Sequence, residues 1–266
     1  MDPLAAYADY VEGSLRLMIH YARHLTSRRN PPVPMAEALE TRTDILRKTA
    51  HFDGRHPAYG LEPRNAAWDD LKAQLAERIL AHAETDGTDA LEEECWSLLH
   101  PLVELIVPES YAHSLQIGRG PYGCWRFDIR DNDPDAINLH VCNAYQPASP
   151  FDAEYRPRLV HCLLQLLRDA QAAHPHAIRL RCSSWLNQLP PFLALFPPSW
   201  RASFVASDYS SGTAGHWGQY MDHRGAFHRY NGAAVASTPS PVVAANATSP
   251  KRFYTCKSKA YNRRWD

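Results

Sequence analysis

Along residues 4–27 polar positions are the exception. On a wheel turning about 100° per residue, Glu12, Arg16, His20, Arg23 and Ser27 fall on one narrow stripe, and Leu15, Leu17, Met18, Ile19, Tyr21, Ala22 and Leu25 fill nearly all the rest. A surface helix shows the opposite proportion, so this helix is expected to be mostly buried. Further helices are predicted over 35–50, 67–84 and 88–106, and Pro108 marks the end of an all-helical region, 1–107. The period then changes. Residues 111–117 read as a strand. In 124–130, Trp125, Phe127 and Ile129 alternate with Arg126, Asp128 and Arg130, and in 136–142, Ile137, Leu139 and Val141 alternate with Asn138 and His140. A simple hairpin across the turn between them sets Arg126 opposite His140 and Asp128 opposite Asn138.

A helix over 152–173 follows, then a strand over 177–183 and a short apolar helix that Pro197 and Pro198 stop. A strand over 201–207 and a hairpin over 215–229, turning around His223-Arg-Gly, are expected to close the sheet. The pattern as a whole predicts an α+β fold: a helical domain 1–107 packed on a mixed, mostly antiparallel sheet domain 108–232, with an irregular basic tail 233–266.

Composition narrows the function classes. A chain of 266 residues with 45% hydrophobic and 21% charged residues is ordinary for a folded protein. Its net charge of -1 speaks against sequence-independent nucleic-acid binding. No apolar run approaches the roughly 20 residues of a membrane span, and the acidic first residues do not resemble an export signal, so a cytoplasmic protein without membrane association is expected. The six cysteines are spread out without a C-x-x-C pair, which favours reduced thiols over a disulfide scaffold or a thiolate metal site. His20-x-x-x-His24 has the spacing of a metal pair, but no acidic third ligand is spaced nearby and no metal is expected. Glycine patterns for nucleotides and the G-x-S-x-G of serine hydrolases are absent.

What remains is histidine beside arginine. Histidine moves protons near neutral pH, and arginine clamps carboxylate, sulfate or phosphate. The buried Arg16/His20/Arg23 stripe needs either an internal carboxylate, for which Glu12 is spaced, or a bound anion. His20, His140 and Asp128 are therefore the candidate catalytic groups. Arg16, Arg23, His51, Arg126, Asn143, Ser183, Ser184, Asn187, Trp217 and Gln219 are candidates for binding substrate. His51 stands in a turn-rich polar loop, while Trp217 and Gln219 would share one strand face at a pocket mouth. The chemistry these residues suit is non-redox: group transfer, or an elimination or cyclisation that expels an anionic leaving group. No cofactor is required. An anionic small molecule is the expected partner, with a homodimer or a carrier protein as further candidates.

One stretch carries a family likeness. Cys182-Ser-Ser-Trp-Leu-Asn187 followed by Ala194-Leu-Phe196 resembles the strand end and short helix of the GCN5-related N-acetyltransferase superfamily, and the order of elements over residues 108–230 is similar to that family's. The resemblance implies acyl transfer from an acyl-CoA or acyl-carrier donor, with Ser183, Ser184 and Asn187 near the thioester. The family's glycine-rich pyrophosphate loop has no counterpart: Tyr145-Gln-Pro-Ala-Ser-Pro-Phe151 stands there, and two prolines remove two backbone donors. A non-catalytic binding protein on a decayed version of this fold is the third reading.

Overall fold

The computed structural model describes residues 2–27, 31–82, 88–117, 120–206, 212–236 and 254–256. They form an α+β protein of two compact units. The first comprises Met1–Tyr111 with Ser210–Pro250, and the second Ala112–Tyr209 with Lys251–Asp266.

In the first unit, helix α1 (Pro3–Ser27) is central, as its broad apolar face predicts. Tyr10, Val11, Leu15, Leu17, Met18, Ile19, Tyr21 and Leu25 are buried on it. Around α1 stand α2 (Met35–Thr41), α3 (Ala66–Ala81) and α4 (Thr88–Glu104), and α5 (Val107–Ile117) follows α4 directly. On α3, Trp68, Leu71, Leu75 and Ile79 form a stripe at helical spacing, and Asn65 caps the helix by accepting from the Ala67 N–H at 3.1 Å.

The helix expected over 35–50 ends at Thr41. Residues 42–45 leave the helical path, and only a 3₁₀ turn at Leu46–Lys48 resumes it. The strand expected over 111–117 is the second half of α5. Pro108, read as a stop, sits in the first turn of that helix, where its missing N–H costs nothing.

The hairpin expected to close the sheet belongs to the first unit instead. Ala214–Trp217 is a short helix, α9, continued by a 3₁₀ turn at Gly218–Tyr220. Its predicted turn is present: Asp222 accepts from Arg224 and Ala226, Gly225 takes φ 89°, and one bridge joins Met221 to Phe227. Helix α10 (Arg229–Ala236) follows. The segment is fastened to α1 by Asp9, which accepts from the Phe227 N–H at 3.0 Å and pairs with Arg229 at 2.8 Å. The Phe227 ring lies against Gly13 of α1 and Gly232 of α10.

The second unit is built on strands β1 (Trp125–Arg130) and β2 (Asp133–Val141), with helix α6 (Arg156–Ala173) and strand β3 (Arg179–Arg181). β1 and β2 are antiparallel in the predicted register, Arg126 opposite His140 and Asp128 opposite Asn138. β2 and β3 are parallel, so the sheet is mixed. Its apolar face, including Trp125 and Leu139, packs against Leu159, Leu163 and Leu166 of α6.

Beyond β3, the predicted strand breaks: Ser183–Ser184 (β4) joins Phe204–Ala206 (β5) and Tyr254–Cys256 (β6) in a second small sheet, ordered β4-β6-β5. A 3₁₀ turn at Trp185–Gln188 leads to α7 (Pro190–Leu193) and α8 (Pro198–Ala202). Pro198 starts α8 at its first position rather than only stopping α7. Of the strand expected over 201–207, residues 201–202 belong to α8, 204–206 form β5 and 207 lies outside the described residues, and the tail contributes a strand that the sequence reading leaves irregular. The remaining tail residues, 237–253 and 257–266, lie outside the described residues.

Candidate functional site

The side chains that β1, β2 and β3 turn away from α6 make the most chemically loaded surface of the second unit. Alternation places Arg126 and Asp128 on this face, and the register adds His140 and Asn138 from β2 and Arg181 from β3. His140 Nε2 lies 2.6 Å from an Asp128 carboxylate oxygen. Because the carboxylate can only accept, Nε2 carries the proton in the neutral ring and Nδ1 keeps its lone pair. The other Asp128 oxygen is 3.9 Å from Arg130 Nε. The His140 and Asp128 side chains are 42% and 48% exposed, so a solute can reach them.

The Arg126 side chain, also exposed, forms no hydrogen bond or ion pair among the described residues. The neighbouring arginines differ: Arg179 and Arg181 both pair with Asp133, the latter at 2.5 Å. Asn138 is 3% exposed, with its amide nitrogen 3.5 Å from two backbone carbonyls, those of Asp128 and Ala136. The face therefore carries one uncommitted cation beside an oriented imidazole.

The other predicted residues are placed as follows. Arg16 bonds Glu12 and Glu93, each at 2.8 Å, and its guanidinium lies 5.4 Å from the Trp96 ring centre. Its charge is thus met by the protein's own carboxylates, not left for an anion. Arg23 is buried on α1 and His20 half-buried. They belong to the first unit, and His140 to the second. His51 sits in its loop, where its backbone carbonyl accepts from Asn65. Asn143 folds the exit of β2, accepting from the Tyr145 N–H and donating to the Ala148 carbonyl. Ser184 caps the following turn by accepting from the Leu186 N–H, and Ser183 pairs in β4. Asn187 is buried and uses both ends of its amide internally, accepting from the Trp200 indole at 3.0 Å and donating to the Cys182 carbonyl at 2.9 Å. Trp217 and Gln219 are on helical turns of the first unit, not on a strand. Both are buried, Trp217 edge-on to Tyr21 and Gln219 bonded to the His216 carbonyl.

Sequence reasoning missed a buried polar cluster in the first unit. Asp44 pairs with Arg47 at 2.6 Å, and His56 Nε2 is 3.8 Å from the same carboxylate. Lys48 lies 3.4 Å from the Tyr10 hydroxyl and 4.4 Å from that ring's centre. Burial raises the Asp44 carboxyl, opposed by Arg47 and Lys48. Burial, then the Arg47 charge, lowers His56 to about 4. His56 Nδ1 accepts from the Ala58 N–H, which also favours the neutral ring. The available signal was three charges, Asp44, Arg47 and Lys48, around the apolar pair Ile45-Leu46. The cluster ties residues 42–58 to α1, and Arg47 also donates to the Gly212 carbonyl at 2.8 Å.

Cys95, Cys124 and Cys162 form no disulfide, and burial raises Cys95 to about 12 and Cys124 to about 11. Among the described residues no helix is long and apolar enough to cross a membrane. Comparison with known proteins finds no matching family model, curated protein or solved structure.

Proposed function

We propose that the open Arg126–Asp128–His140 part of this sheet face binds an anionic small molecule and that His140, oriented by Asp128, transfers a proton on it. What carries the proposal is the uncommitted Arg126 guanidinium directly opposite a histidine held at 2.6 Å by a carboxylate. Arg126 would grip the carboxylate, sulfate or phosphate group bidentately. His140 Nδ1 would act as general base, and the resulting imidazolium would be stabilised by Asp128. Non-redox group transfer, or an elimination or cyclisation that expels the anion, needs no more than these groups.

The test is thermal stabilisation of the full chain by inorganic phosphate or sulfate. Stabilisation that disappears in Arg126→Ala and persists in Arg16→Ala supports the site, since Arg16 is already paired. Equal stabilisation of wild type and Arg126→Ala counts against it.

Acyl transfer is the second reading, favoured by the element order: an antiparallel β1–β2 pair, α6, then β3 parallel to β2. The internal bonds of Asn187 give it no help. Stabilisation by acyl-CoA esters rather than by simple anions would select it, and no response to either class would favour a non-catalytic binding protein.

A further inference from the structure

The first unit holds a cleft of about 410 Å³ between α1 and the α4–α5 corner, remote in chemistry from the sheet face. It exists because α1 presents Ala5 and Ala8 there, one turn apart, where longer side chains would have filled the gap toward α4. Its volume falls in the range of small-molecule sites, roughly 300–1,000 Å³. The floor is apolar, from Leu4 and Ala8 on one side and Val103 and Val107 on the other.

The polar lining has one sign. Asp2, Glu12 and Glu104 are carboxylates, His100 is the lone basic group, and neither Lys nor Arg lines the cleft. His100 meets Glu104 at 3.2 Å, and Arg16 (which lies outside the lining and also pairs with Glu93) meets Glu12 at 2.8 Å, leaving further acceptor positions on Glu104 and Glu12. Asp2 accepts from the Ala5 N–H at 3.1 Å and so caps the helix end that would otherwise attract an anion. Trp96 also lines the cleft, and its ring already attracts one cation, Arg16.

We propose that this cleft binds a hydrophobic organic cation, an aryl- or alkyl-ammonium compound. Its apolar body lies on the alanine–valine floor and its charge meets Glu12 or Glu104.

Three probes of one shape and different charge test this on the full chain: phenethylammonium, phenethyl alcohol and phenylacetate. Binding is followed through the Trp96 indole N–H resonance, assigned with Trp96→Phe. The ammonium compound is expected to bind about 3- to 5-fold more tightly than the alcohol, as partly exposed ionic and cation–π contacts allow, with phenylacetate weakest. Glu104→Gln should remove most of that preference. Ala5→Leu, at an exposed position, should abolish binding of all three without lowering the melting temperature. Equal affinity for the three probes, no resonance shift with any of them, or unchanged binding in Ala5→Leu overturns the proposal. If Ala5→Leu folds poorly, the charge series and Glu104→Gln decide it.

Discussion

Replacing Asp44 by Ala would leave the largely buried Arg47 guanidinium without its carboxylate, with the buried Lys48 charge close by. Removing one partner of a buried ion pair costs about 3–5 kcal/mol, so Asp44→Ala should lower the urea midpoint by that equivalent, whereas Arg42→Ala, in a half-exposed pair with Glu37, should change it little. Asn187 admits a sharper test. Truncation to Ala strands the Trp200 indole N–H and the Cys182 carbonyl, at a cost of about 2–4 kcal/mol. In the double variant with Trp200→Phe the stranded donor is gone, so the two losses should add to less than their sum in a double-mutant cycle. A purely additive result would remove the Asn187–Trp200 bond from the account. From the sequence, Asn187 was visible as a polar residue at a strand exit. Which groups its amide meets depends on where the chain brings Trp200, thirteen residues later.

At the scale of elements, Gly13 looks like a weakness in α1, since glycine costs about 1 kcal/mol relative to alanine inside a helix. The Phe227 ring gives it a reason, because a Cβ at Gly13 would overlap that ring. Gly13→Ala is therefore expected to destabilise by about 1–2 kcal/mol despite the better helix former, the overpacking exceeding the propensity gain. In a Phe227→Ala background the same change should become neutral or stabilising, read as the shift in thermal midpoint. Elements with long, unmistakable periodicity were legible: α1, α3, α4 and α6 stand where predicted to within a few residues, and the β1–β2 register follows from alternation and turn length alone. Three misjudged segments turn on prolines or short runs. Pro108 and Pro198 begin helices where the local pattern suggests stops, and the polar break after Thr41 is hidden inside a helical period.

For the molecule as a whole, the buried His56 gives stability a pH dependence on the acid side. His56 titrates at about 4 in the fold against 6.5 in the unfolded chain. Between those values the unfolded state binds a proton that the folded state does not, so stability rises with pH through this window. The contribution is complete above pH 6.5 and is lost as pH falls to about 4, with a size of about 3 kcal/mol. Asp44, raised by burial, titrates in the opposite sense above its ordinary 3.8 and offsets part of the loss at the acid end. His56→Asn keeps an N-cap acceptor for the Ala58 N–H without titrating, and should flatten the profile of urea stability against pH between 4 and 6.5. His216, also lowered to about 4 by burial, accounts for a remaining slope that His56→Asn leaves in place.

Local pattern alone determined a mostly buried first helix, a helical first region, an α+β class and the pairing of Arg126 with His140, because periodicity and hairpin register are properties of neighbouring residues. Tertiary structure decided which charges are already met. Arg16 finds Glu93 some eighty residues away, Arg181 finds Asp133, and Arg126 finds no carboxylate among the described residues, although all three read alike as arginines on regular elements. It also decided that residues 212–236 fold with α1, through Asp9 and the Phe227 ring. An ion pair or a ring packed on glycine is a long-range event, and nothing in the periodicity of either segment encodes its partner.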